Sequence, residues 1–157
     1  MLFGRRVVVL SVCICIFSSP VRGSDVSLVV ESINRQLLAG QVERIDVLRV
    51  SDDFFTLIRI SPGDFERYPH KRHTLHLAEQ DAAKLAVVLE RLKLTQLMDP
   101  PDLRWEVVFL DASGNRLHSI FLDKAYWYGK GRKGYIDGDM FSFGSSLIKW
   151  LEKRVQD

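Results

Sequence analysis

The 157-residue sequence predicts an α+β domain: three helices packed mainly on one face of an antiparallel sheet of about five to seven strands, ordered α-ββ-β-α-ββ-ββ-α. Apolar residues recur at helical spacing in three separated stretches, near 26–37, 82–92 and 147–155. Between them lie runs that alternate in polarity or are rich in β-branched and aromatic residues. Short turn sequences join most of these runs, which suits hairpins and leaves few of the long crossovers that parallel strands require.

Ser24 or Asp25 can cap a first helix whose inward residues are Val26, Val29, Val30, Ile33 and Leu37, with Gly40 placed to end it. Segments 42–50 and 54–60 are β-rich and separated by Ser51, Asp52 and Asp53, so they predict a hairpin, closed off by Pro62 and Gly63. Segment 63–70 has no period. Segment 71–77 alternates, with His73, Leu75 and Leu77 on one side and Arg72, Thr74 and His76 on the other, and predicts a short strand.

In 79–94, Ala82, Leu85, Ala86, Leu89 and Leu92 make one apolar stripe, and Glu79 and Asp81 sit in the first turn, where the helix dipole favours acids. After Pro101, the alternation of Leu103, Trp105, Val107 and Phe109 leads through a turn at 111–115 into 117–122, a second hairpin. A further pair is predicted at 125–128 and 135–143, the latter carrying a tight Asp137, Gly138 turn. Ser145 can cap a last helix with Leu147, Ile148, Leu151 and Val155 inward.

Residues 1–23 have the three-part grammar of a cleavable export signal. Arg5 and Arg6 precede an apolar run at 7–17, followed by Ser18, Ser19, Pro20, Val21, Arg22 and Gly23. The run spans eleven residues, ten of them apolar, and falls short of the roughly 20 that a membrane-crossing helix needs. Cleavage is expected after Gly23, leaving 24–157 as a single globular domain that is periplasmic or secreted. A buried N-terminal element does not explain the polarity switch at Ser18, and lipoprotein processing at Cys13 would place Val12 where a very small residue is normally required.

Losing the leader changes the chemistry of what remains. Both cysteines, Cys13 and Cys15, go with it, so the mature chain holds no disulfide, thiol nucleophile or Cys-ligated zinc. Three of the 22 basic residues go too (Arg5, Arg6 and Arg22), and none of the 20 acids, leaving 19 against 20. A charge near neutrality gives no general reason to expect nucleic acid or an anionic membrane as partner.

Within the mature chain the most unusual stretch is 126–135, where Tyr126, Trp127, Tyr128 and Tyr135 flank Lys130, Arg132 and Lys133. Gly129, Gly131 and Gly134 have G-x-G-x-x-G spacing, but a dinucleotide fingerprint must open a helix, and here a strand follows. What remains is a glycine-rich loop whose cations and aromatic faces suit a protein or anionic envelope glycan. The bland reading is a solvated hairpin tip whose charges discourage edge pairing.

Two other constellations are weaker. His70, His73 and His76 suggest a metal, yet 73 and 76 point to opposite faces of a strand, so neither metal nor cofactor is expected. Asp137 and Asp139, with Glu106 and His118 nearby in the hairpins, suggest acid–base hydrolysis, with Asp111 or Asp123 as the partner of His118. The Asp137, Gly138 pair is equally a turn signal, and no serine sits in a nucleophile elbow. The leading expectation is therefore an exported, non-catalytic binding protein of inhibitor, immunity or accessory type. The alternative is a cell-wall or glycan hydrolase using Asp137 and Glu106.

Overall fold

The apolar stripes of the sequence become the helices of the fold. The computed structural model describes residues 26–51, 53–54, 57–92, 95–96, 100–123 and 132–155. Helix α1 (Val26–Leu38) buries Val30, Ile33 and Leu37, and Gly40 follows it with a φ of 67°, the left-handed conformation that ends helices. Helix α2 (Glu79–Glu90) buries Ala82, Leu85, Ala86 and Leu89, and helix α3 (Ser146–Glu152) buries Leu147, Ile148, Trp150 and Leu151. Arg154, stacked 4.0 Å over the Trp150 ring, donates to Asp81 Oδ1 at 2.6 Å and ties the end of α3 to the first turn of α2.

The strands are β1 (Arg44–Arg49), β2 (Lys71–His76), β3 (Thr95–Gln96), β4 (Leu103–Leu110), β5 (Arg116–Asp123), β6 (Arg132–Ile136) and β7 (Asp139–Phe143). They lie in the order β2-β1-β4-β5-β6-β7-β3, and every neighbouring pair is antiparallel. The expected α+β architecture is the one observed.

Pairing divides the strand residues between two faces. Ile45, Val47, Trp105, Val107, Phe109, Ile120, Leu122, Ile136 and Phe141 join the three helices in the main core. On the other face Leu48, Val108, Leu110 and Phe121 meet Ile60 and Phe65, which arrive from the irregular segment 57–70. Phe65 starts a short 3-10 turn (Phe65–Arg67) and packs edge-on against Phe121, with ring centroids 5.8 Å apart. Burial of such a side chain is worth about 1.5–3 kcal/mol. Both faces of β4 are covered, and all eight of its residues are buried.

Local differences from expectation have identifiable causes. The described part of 54–60 is not a strand, because β1 is already paired on both sides, by β2 and β4. Instead, Ile60 N–H donates to Asp102 Oδ1 at 3.0 Å and its carbonyl accepts from Leu103 N–H at 3.2 Å, which lays this segment across the second face. Helix α2 ends at Glu90 rather than running to 94, and Ser145 makes no side-chain cap. The leader 1–23, Ser24, Asp25 and the arm expected at 125–128 lie outside the described residues. Among the described residues no helix is long and apolar enough to cross a membrane.

Candidate functional site

The base of the cation- and aromatic-rich segment is a small clamp between the end of β5 and the start of β6. Asp123, only 2 % exposed, closes β5. Its carboxylate Oδ1 accepts the Lys133 N–H at 3.1 Å, and its carbonyl accepts from Arg132 Nη1 at 3.1 Å. Arg132 Nη2 also lies 3.8 Å from Glu152 Oε1 on α3. Burial pushes the Asp123 carboxyl up to about 6, against the opposing pull of the Lys133 N–H and the Arg132 and Lys133 charges.

Of the expected contact residues, Arg132, Lys133 and Tyr135 sit on β6, while Tyr126, Trp127, Tyr128 and Lys130 lie outside the described residues. Arg132 is mostly buried and holds the stem together, so its part is structural whatever else it does. Tyr135 is half-buried and packs on the second-face cluster opposite Phe121. Gly134 has a packing reason of its own: a Cβ there would run into the Phe121 carbonyl oxygen on β5. That accounts for one glycine of the G-x-G-x-x-G spacing without any phosphate.

The residues considered for hydrolysis are separated by the sheet. Asp137 and Gly138 form the β6–β7 turn, with φ of 46° and 101°. The Asp137 carboxylate reaches back to β5, accepting from His118 Nδ1 at 2.6 Å and from Ser119 N–H at 3.1 Å. Burial raises this carboxyl, but the His118 and Ser119 hydrogen bonds outweigh it and hold the group below its ordinary value. His118 therefore pairs with Asp137, not with Asp111 or Asp123. Asp111 is occupied by Asn115 inside its own turn, and Asp123 by Lys133. His118 Nε2 and Ser119 Oγ are buried and find no hydrogen bond among the described residues.

Glu106 points the other way. It pairs in register with Leu48 and Phe121, whereas His118 pairs with Phe109, so Glu106 and the His118–Asp137 couple occupy opposite faces. Glu106 is fully buried, and among the described residues neither oxygen finds a hydrogen bond. Arg116 Nη1 stands 3.1 Å from Glu106 Oε1, while its Nη2 donates to Glu66 Oε1 at 2.8 Å. Burial raises the Glu106 carboxyl, and Arg116 opposes that most strongly. Asp139 stands opposite Ile136 at the start of β7.

Of the three histidines, His70 Nδ1 donates to the Tyr68 carbonyl at 2.8 Å, and His73 and His76 lie at opposite-facing positions of β2. Among the described residues no three His, Cys, Asp or Glu side chains converge on a possible metal position. Sequence reasoning named Asp123 only as a partner for His118 and missed its part in the β5–β6 stem, and it missed Arg116 altogether. A lone acid at the end of an apolar strand, Ile120, Phe121, Leu122, Asp123, was the only available sign of the first; nothing local marks the second. Comparison of the chain with known proteins finds no matching family model, no matching curated protein and no matching solved structure.

Proposed function

We propose that this is an exported, non-catalytic protein that recognises a macromolecular partner, a protein or an anionic envelope glycan, through the 126–135 region. The observation that supports this reading is the clamp at Asp123. A buried carboxylate, a mostly buried arginine and a strand amide are all spent on fixing where the segment between β5 and β6 leaves and re-enters the sheet. A fixed stem lowers the ordering cost of whatever contact Tyr126, Trp127, Tyr128, Lys130, Lys133 and Tyr135 make. Hydrolysis by Glu106 and Asp137 draws no support from the geometry, because two carboxylates on opposite sides of a sheet cannot flank one bond.

The test is affinity capture from cell-envelope extract with the processed chain, followed by identification of what is retained. Lys130→Ala combined with Lys133→Ala should weaken retention in a salt-dependent way while leaving the fold intact. Arg132→Ala is the poorer probe, since it also loosens the stem. Retention unchanged in the double variant would discard this surface.

A further inference from the structure

Among the described residues the sheet has one long open edge. Strand β2 is terminal and meets β1 through six consecutive register pairs without a shift. No described strand lies along the outer side of 72–76. At the opposite end of the sheet, β3 is two residues long and offers little to pair with. A straight six-residue edge without proline, glycine or bulge is a ready template for another strand.

Its side chains specify the guest. The sequence Lys71, Arg72, His73, Thr74, Leu75, His76 contains two cations, two imidazoles and no acid. Arg72, Thr74 and His76 line one face and Lys71, His73 and Leu75 the other, so an added strand would meet a cation on each side. The acid beside them on β1, Asp46, is largely buried, accepts the Thr74 hydroxyl at 2.8 Å and stands 3.9 Å from Arg72 Nη1. It lies on the inner side of β2, away from the rim a guest would approach.

We propose that the outer edge of β2 binds an acidic, extended segment of a partner protein by adding it to the sheet as an antiparallel strand. A second copy of this chain is a poor guest. No register of two antiparallel β2 strands sets either cation against an acid, and centring them on Arg72 sets arginine against arginine. Like charges directly opposite destabilise a pair, whereas opposite charges stabilise it. The charges that discourage self-association are the ones that select an acidic strand. With β1, β4 and β5 between β2 and β6, the two surfaces are roughly 19 Å apart at about 4.8 Å per strand, so this edge does not depend on the 126–135 reading.

The experiment measures fluorescence anisotropy of a labelled peptide of about ten residues, alternating glutamate and valine, titrated with the protein. Saturable binding is expected, weakening about fivefold or more between roughly 50 and 300 mM salt. The same peptide N-methylated at alternate amides, and a lysine–valine peptide, should not bind. Lys71→Glu with Arg72→Glu should weaken binding by about tenfold or more, with an unchanged circular dichroism spectrum. The proposal is overturned by absence of saturable binding, by equal binding of the N-methylated peptide, by indifference to the charge reversal, or by dimerisation of the protein through β2.

Discussion

The two faces of the sheet are buried by different means. One is covered by α1, α2 and α3, and its strand side chains are aliphatic and aromatic almost throughout. The other is covered by 57–70, an irregular segment held by Ile60, Phe65, a few hydrogen bonds near Asp102 and the Arg116–Glu66 contact. Under that cover lies Glu106, a fully buried carboxylate facing the Arg116 guanidinium at 3.1 Å. A face packed by regular helices is expected to carry the global stability. A face packed by a loop that also covers a buried charge is expected to open at a lower free energy than the whole fold.

The largest effect is expected on the helical face. Phe109→Ala should cost about 3–5 kcal/mol in urea unfolding and leave little folded protein. Gly134→Ala comes next, at about 3 kcal/mol, because the new Cβ forces β6 away from the Phe121 backbone. On the loop-covered face, Phe65→Ala should cost less, about 1–3 kcal/mol, since the loss stops at the docking energy of the segment. Faster amide exchange should be confined to 57–70 and its contacts on β4 and β5. Global unfolding by Phe65→Ala to the same degree as Phe109→Ala would erase the distinction between the faces.

The smallest effect has the opposite sign. The Asp123 carboxyl keeps its proton to about pH 6 in the folded chain, against an ordinary value of 3.8. The folded state then binds more protons than the unfolded state across that window, so stability is fullest below it and falls as pH rises through it. Asp123→Asn, which keeps an acceptor for the Lys133 N–H, should gain on the order of 1–2 kcal/mol at pH 7–8 and flatten the dependence of stability on pH between 3.8 and about 6. A loss of stability at pH 8 would mean that the charge of Asp123, and not merely its acceptor, holds the clamp.

The helical face was legible because its signals are periodic. The stripes of Val30, Ile33, Leu37 and of Ala82, Leu85, Ala86, Leu89 name the inward residues by spacing alone. The Asp137, Gly138 turn was legible for a stereochemical reason, since few residue pairs accept two positive φ values. The cover over the second face was not. Ile60 and Phe65 are single anchors in a stretch without period, and β-rich composition at 54–60 looks the same whether a strand pairs or a loop lies across a sheet. The partner of His118 was equally hidden, because it depends on how the β6–β7 turn folds back over Ser119 rather than on spacing.

The functional reading rests on removal of the first 23 residues, and intact mass measurement of the native protein from separated cell fractions tests it most directly. The account predicts a chain beginning at Ser24, without cysteine, in the envelope or culture fluid. A chain still carrying Met1, Cys13 and Cys15 in the cytosol would contradict it.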